Sequence, residues 1–127
     1  MKKDISWEKI NPETKAVWAG ETEPFPYNST QAPTISSVAF NYKDVSEWLD
    51  VAKGTKKGHI YGRNTNPTVE ILEKKIALLE QAESAVAFSS GMAAISNTLF
   101  AILKPKDRVI VGRDTYGGTS KIFMEYL

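Results

Sequence analysis

The sequence predicts an α/β fold, because strand-like and helical segments alternate along its second half. Residues 85–88 form a short apolar run typical of a buried strand, and residues 108–111 form another. Between them, apolar residues recur at helical spacing from Met92 to Ile102. A strand, a helix and a strand in this order predict a βαβ unit, whose two strands run parallel.

Three further helices are predicted from capping residues and apolar spacing. Asp44 is suited to cap a short helix that reaches Ala52. Asn66 followed by Pro67 predicts the start of a longer helix that reaches Gln81. A last helix is predicted around residues 119–126, after the second strand.

The N-terminal part of the chain has a different composition. Residues 1–40 contain four of the six prolines and only scattered apolar positions, which predicts an extended arm. We therefore divide the chain into an arm with a short helix at residues 1–60 and the start of an α/β domain at residues 61–127. Parallel strands need cover on both faces, and residues 61–127 supply too little of it, so this domain is predicted to be incomplete.

Composition argues against several classes of function. The formal net charge of +1 predicts no general attraction to nucleic acid or to membranes. The chain has no cysteine and a single histidine, His59, so no metal site is predicted. The longest apolar stretches are only a few residues long, which argues against a secretory signal or a membrane span. A cytoplasmic protein is the resulting expectation.

The segment around Ser90, Gly91 and Met92 is a candidate phosphate site. It lies where an apolar strand is predicted to end and a helix to begin, and a helix N-terminus offers unpaired N–H groups with a partial positive charge. Glycine allows the backbone to approach an anion closely, and serine adds a hydroxyl donor. The alternative is that a serine merely caps the helix while glycine eases the turn.

Two further segments carry candidate ligand-binding residues. Arg63 could bind two phosphate oxygens with its forked guanidinium while the Tyr61 hydroxyl donates to a third; the alternative is an ordinary solvated basic loop. Tyr116 follows the second predicted strand at its carboxyl end, where α/β sheets place ligands, and could lay its ring on a flat cofactor. It could equally be an amphipathic tyrosine at the edge of a loop.

Taken together, three motifs resemble those of one enzyme family. The segments Y-G-R-N-T-N-P-T at 61–68, S-S-G-M-A-A at 89–94 and D-T-Y-G-G-T at 114–119 have the order and spacing of the Cys/Met-metabolism pyridoxal-phosphate (PLP) enzymes. This family includes cystathionine γ-synthase, cystathionine γ-lyase and O-acylhomoserine sulfhydrylase. The resemblance implies the N-terminal part of a fold type I large domain, similar to that of aspartate aminotransferase, preceded by the extended arm.

The resemblance also implies roles for particular residues. Ser90, Gly91 and Met92 match the positions that hold the PLP phosphate within their own subunit. Tyr61 and Arg63 match positions that reach the same phosphate from a neighbouring subunit of a homotetramer, a dimer of dimers. The arm is the part that wraps the partner. Tyr116 matches a catalytic residue that stacks on the pyridine ring, and a deprotonated tyrosine there could accept the ammonium proton of the amino-acid substrate.

The implied reaction is γ-elimination or γ-replacement on sulfur amino acids or O-acylhomoserine. The lysine that binds PLP covalently matches no position in this chain; Lys121 is not that lysine and Asp114 is not the partner of the ring nitrogen. Residues 1–127 alone are therefore expected to be inactive. Two alternatives stay open: a non-catalytic homologue that binds a family subunit, and a nucleotide-binding α/β module, which the lack of a G-x-G-x-x-G or P-loop motif disfavours.

Overall fold

The computed structural model describes residues 6–21 and 24–126. The helices in this part of the chain are α1 (Pro12–Trp18), α2 (Val45–Ala52), α3 (Pro67–Leu79), α4 (Gly91–Ile102) and α5 (Gly117–Lys121). Short 3₁₀ turns lie at Trp7–Lys9 and Pro26–Asn28, and α5 continues into a π-helical turn at Ile122–Tyr126. The chain forms two compact units, Met1–Val86 and Ala87–Leu127. None of the described helices combines the length and apolar character needed to cross a membrane.

The predicted start of α2 is confirmed. The side chain of Asp44 accepts a hydrogen bond from the backbone N–H of Glu47 at 2.8 Å, which satisfies one of the donors that a helix leaves unpaired at its first turn. The helix ends at Ala52, and Gly54 follows with a φ of +74°. Glycine adopts this left-handed conformation without steric cost, so the chain can turn away from the helix axis there.

The start of α3 is confirmed too, while its end lies slightly earlier than predicted. Asn66 caps the helix by accepting from the N–H groups of Thr68 at 2.8 Å and Val69 at 3.4 Å. The helix ends at Leu79, and Gln81 has a positive φ of 54° that is incompatible with a continuing right-handed helix.

Helix α1 was not predicted, because the surrounding residues look like an extended arm. Asn11 accepts from the N–H of Thr14 at 3.0 Å, and the helix packs against α3. Gly20 follows α1 in the sequence and has a φ of +80°. Its backbone lies so close to α3 that a Cβ on Gly20 would be 2.7 Å from the carbonyl oxygen of Ile71. Lys75 of α3 adds an ion pair of 2.8 Å with Glu21. Part of the N-terminal segment is thus fixed to α3 within the first unit.

The loop after α2 is held against an earlier segment by backbone pairing. An isolated antiparallel bridge joins Ala39 and Tyr61. Next to it, the N–H of Phe40 donates to the carbonyl of Ile60 at 3.1 Å. This pairing fixes the backbone on the N-terminal side of the loop that carries Tyr61.

The two strands predicted at residues 85–88 and 108–111 are not formed, so this prediction of local structure is wrong. In the described residues, β-pairing consists of the isolated Ala39–Tyr61 bridge, and no pair of strands forms a hydrogen-bonded ladder. A parallel strand is stable only within a sheet, and these residues supply no sheet for it to join. Accordingly, Ile110 is fully exposed and Val86 is mostly exposed.

In the second unit, the predicted helix over residues 92–102 is confirmed as α4, with Ser90 as its cap. The turn after α4 is set by Asp107, whose carboxylate accepts from the N–H of Lys104 at 2.8 Å. The helix predicted around residues 119–126 is present as α5 and the π-helical turn, beginning two residues earlier at Gly117. Helices α4 and α5 pack against each other, which brings the N-terminal part of α4 close to α5.

Candidate functional site

The first turn of α4 presents unpaired backbone donors. The Ser90 hydroxyl oxygen accepts from the N–H of Ala93 at 3.1 Å, and the Ser90 carbonyl accepts from Ala94 at 3.0 Å. Within the described residues, the N–H groups of Gly91 and Met92 have no hydrogen-bond partner. Two donors at the positive end of a twelve-residue helix are therefore available to an anion.

The space in front of these donors is open. A Cβ built on Gly91 meets no other heavy atom within 4 Å, so nothing in the protein requires glycine at this position for packing. The room is therefore available for the oxygen atoms of a ligand. The Ser90 hydroxyl, which accepts from Ala93, keeps its own proton to donate to such a ligand.

The ring of Tyr116 lies beside the same helix end. A Cβ built on Gly118 would lie 2.8 Å from the Cε1 atom of Tyr116 and 3.4 Å from the sulfur of Met92, so both side chains lie against Gly118. The Thr119 hydroxyl donates to the Met92 sulfur at 3.8 Å. The structure thus brings Met92, in the first turn that Ser90 caps, close to Tyr116, and 73% of Tyr116 is exposed to solvent.

The backbone after Tyr116 is also fixed. The Tyr116 carbonyl accepts from the N–H groups of Thr119 at 2.9 Å and Ser120 at 3.1 Å. The hydroxyls of Thr115 and Ser120 are 2.7 Å apart, which ties the residue before Tyr116 to α5. The exposed ring is therefore carried on an ordered backbone.

Tyr61 and Arg63 lie in the first unit, on one exposed loop. The Arg63 guanidinium carbon is 5.0 Å from the centroid of the Tyr61 ring, which is a cation–π contact. The Tyr61 carbonyl accepts from the N–H groups of Asn64 at 2.9 Å and Thr65 at 3.2 Å. No ion pair of Arg63 is present among the described residues, so its donors are available to an anionic ligand.

Lys56, in the same glycine-rich region, is engaged elsewhere. Its ammonium forms an ion pair with Glu47 of α2. The hydrogen bond that Lys56 donates to the Glu47 carboxylate raises the pKa of Lys56 and lowers the pKa of Glu47. Lys56 therefore serves the local surface and is a poor candidate for binding an anion.

Two residues that shape the Tyr61–Arg63 loop, Tyr42 and Gly58, were not singled out from the sequence. The Tyr42 hydroxyl donates to the His59 carbonyl at 2.7 Å and accepts from the His59 N–H at 3.0 Å. A Cβ on Gly58 would lie 2.6 Å from this hydroxyl, so a side chain there would displace the Tyr42 hydroxyl. The glycine immediately before His59 is the one sequence signal that could have indicated such a close approach.

In their chemistry, these residues fit a phosphorylated aromatic cofactor. The α4 terminus offers backbone and hydroxyl donors to a phosphate, and Tyr116 offers an exposed aromatic face to a planar ring. A profile of the Cys/Met metabolism PLP-dependent enzymes matches residues 13–127. The chain belongs to this family. The resemblance identified from the three motifs is confirmed, and so is PLP as the cofactor of the family.

Individual members of the PLP-dependent family show how much of the chain is shared. L-methionine gamma-lyase of Pseudomonas deceptionensis is 41% identical over 87 residues, which cover 68% of this chain and 22% of that enzyme. O-acetyl-L-homoserine sulfhydrylase of Corynebacterium glutamicum is 35% identical over 112 residues, which cover 88% of this chain and 26% of the relative. The chain therefore spans about a quarter of the length of these curated relatives.

A solved structure supports the fold. The protein of Campylobacter jejuni subsp. jejuni described as an O-acetylhomoserine (thiol)-lyase contains N′-pyridoxyl-lysine-5′-monophosphate. It superposes with a TM-score of 0.84 and 26% identity, covering 92% of this chain and 29% of that structure. The predicted class, part of a PLP-dependent fold type I α/β domain, is confirmed by this similarity, although the chain itself is mainly helical. Family membership also sets aside the nucleotide-binding alternative.

Proposed function

We propose that this chain supplies phosphate-binding and ring-stacking residues to a PLP-dependent transsulfuration enzyme. The proposed reaction is γ-elimination or γ-replacement on sulfur amino acids or O-acylhomoserine, in keeping with the names of its relatives. The observation that carries the proposal is the pair of unpaired N–H groups at Gly91 and Met92 beside the exposed ring of Tyr116. Together they suit a planar ring that bears a phosphate.

In this proposal each phosphate is bound by groups from two subunits. The N–H groups of Gly91 and Met92 and the hydroxyl of Ser90 donate to it, and the helix terminus adds a favourable partial charge. Tyr61 and Arg63 are proposed to reach the phosphate of a neighbouring subunit. Both residues are exposed, and the Arg63 guanidinium lies 5.0 Å from the centroid of the Tyr61 ring, so the two side chains are accessible together for a contact in trans.

Tyr116 has two proposed roles. Its ring covers one face of the cofactor pyridine, and its phenol oxygen, when deprotonated, accepts a proton from the ammonium group of the substrate. PLP, when bound, supplies the electron-withdrawing ring that stabilises negative charge on the carbon skeleton of the substrate. Tyr116 is the catalytic residue that we assign within this chain.

We also propose an assembly and a location. Residues 1–60 would wrap a neighbouring subunit of a homotetramer built as a dimer of dimers, with residues 61–127 beginning the PLP-binding domain. Cross-linking of the complete enzyme followed by mass spectrometry would test whether the arm contacts a partner. The cytoplasmic location stays a prediction, which fractionation of the source cells would test.

The binding proposal can be tested with a cofactor analogue that forms no covalent bond. Pyridoxamine 5′-phosphate lacks the aldehyde that reacts with surface lysines, and pyridoxamine lacks the phosphate. We expect the chain to bind the phosphorylated form. The methyl group of Gly91→Ala should keep a phosphate oxygen away from a backbone N–H and weaken this binding by about tenfold, the factor for about one hydrogen bond to a charged group. Gly112→Ala is the matched control, because a Cβ there also meets nothing within 4 Å. Equal binding of both analogues by the native chain would refute the proposal.

A further inference from the structure

The loop that carries Tyr61 and Arg63 is closed at its base by a contact between two side chains. The Nδ1 atom of His59 lies 3.0 Å from the hydroxyl oxygen of Thr65, which is hydrogen-bond distance. Both exposed candidate ligands lie between these two residues in the sequence. We call the pair of His59 and Thr65 the loop base.

The His59 end of the loop base is well fixed. The Tyr42 hydroxyl bonds both the carbonyl and the N–H of His59, at 2.7 and 3.0 Å. The imidazole also contacts the ring of Phe40, with centroids 5.4 Å apart. Only 17% of the His59 side chain is exposed, so the chain has little freedom at this point.

The Thr65 end is fixed by a helix. Thr65 directly precedes Asn66, the cap of α3, and its N–H donates to the Tyr61 carbonyl at 3.2 Å. The carboxylate of Glu70, on the first turns of α3, lies 3.8 Å from the same Nδ1 atom of His59. The imidazole therefore faces two groups of the α3 region, Thr65 and Glu70.

From this geometry we infer that His59 is a positioning residue for Tyr61 and Arg63. The inference rests on the proposed function, in which those two residues contact a phosphate. Two exposed side chains on a freely moving loop would lose much conformational entropy on binding, and a closed loop base reduces that loss beforehand. His59 itself touches no ligand in this scheme; it acts through the backbone that carries Arg63.

The inference can be tested by limited digestion of residues 1–127 with trypsin, which cleaves after Arg63. His59→Phe keeps a ring beside Phe40 and removes the nitrogen. Thr65→Val keeps the shape and removes the hydroxyl. His59→Asn is the conservative rescue, since its amide can occupy the place of Nδ1. Cleavage after Lys74, within α3, reports on general unfolding of the same unit.

We expect His59→Phe and Thr65→Val each to speed cleavage after Arg63 relative to Lys74 by about twofold to about tenfold, the factor for one net hydrogen bond. His59→Asn should resemble the native chain. The double variant of His59→Phe and Thr65→Val should be no faster than either single one, because both remove the same bond. The inference is overturned if His59→Phe leaves the ratio unchanged, or if His59→Asn is as fast as His59→Phe.

These digestions contain no cofactor, so they separate the inference from the proposed function. Should the native chain fail to bind pyridoxamine 5′-phosphate while the cleavage ratios change as expected, the proposed function fails and the closed loop base stands. If binding occurs and the ratios do not change, the loop base is refuted and the phosphate site is retained.

Discussion

The hydrogen bonds of Asn66 provide the sharpest test of how the first unit is built. Its Oδ1 atom caps α3 through the N–H groups of Thr68 and Val69, at 2.8 and 3.4 Å. Its Nδ2 atom donates to the carbonyl of Ile35 at 2.9 Å. Thr68 continues the connection, since its hydroxyl accepts from the N–H of Ile35 at 2.9 Å. One side chain thus begins the helix and also holds the earlier segment against it.

Substituting Asn66→Ala removes both functions. The loss of the cap costs about 1 kcal/mol, and the loss of the donor to Ile35 costs about 1 kcal/mol more. The sum of about 2 kcal/mol corresponds to an increase of about thirtyfold in local opening. Hydrogen exchange followed by mass spectrometry should show this increase in peptides that cover residues 33–37 and 66–72.

Two variants make this result interpretable. Asn66→Asp keeps the capping oxygen and removes the donor, so we expect faster exchange at residues 33–37 with little change in the first turn of α3. Asn64→Ala is the matched control, because no side-chain hydrogen bond of Asn64 is present in the described residues. Unchanged exchange of both segments in Asn66→Ala would refute the reasoning, as would equal opening of both segments in Asn66→Asp.

Three further outcomes follow from the structure. Gly118→Ala should displace the Tyr116 ring and weaken pyridoxamine 5′-phosphate binding by about 1 kcal/mol. Gly117→Ala should leave binding unchanged, because a Cβ at Gly117 meets nothing within 4 Å. Equal binding by both variants would contradict this. Hydrogen bonds from Ser46 and from the Glu47 backbone lower the pKa of Asp44. The stability that Asp44 adds by capping α2 is therefore complete above pH 3.8, the ordinary pKa of aspartate, and is lost as the pH falls through the lowered pKa. Circular dichroism of Asp44→Asn should lack this acid transition. Residues 1–127 alone should show no turnover of sulfur amino acids, and borohydride reduction with PLP should not label Lys121 preferentially, which mass spectrometry can check.

Helix starts were predictable from the sequence wherever a capping residue preceded a clear apolar repeat. Asp44, Asn66 and Ser90 all cap the helices that follow them, because the bond from a side chain to the first turn depends on a few neighbouring residues only. Asn11 gives the same signal before Pro12, but α1 has no clear apolar repeat. Its contact with α3, more than fifty positions away along the chain, could not be predicted from local patterns.

The predicted strands show the opposite limit. Residues 85–88 and 108–111 have the composition of buried strands, and nothing in that composition states which segment would pair with them. A sheet is a non-local structure, so its formation depends on partner strands from distant parts of the sequence. The loop base of His59 and Thr65 was unpredictable for a similar reason. The contact depends on the path of the intervening backbone, which the residue types at 60–64 do not determine.

The glycines of the candidate site show why residue type alone could not complete the assignment. Gly118 lies near Tyr116 and Gly91 lies at the start of α4, and the residue type is the same at both positions. In the structure, a Cβ on Gly91 meets nothing, whereas one on Gly118 would collide with the Tyr116 ring. Gly91 therefore leaves space for a ligand, while Gly118 leaves space for a side chain of the protein itself. A methyl group at Gly91 should act on the phosphate alone, and one at Gly118 should act through the position of the tyrosine, so the two substitutions separate phosphate binding from ring stacking.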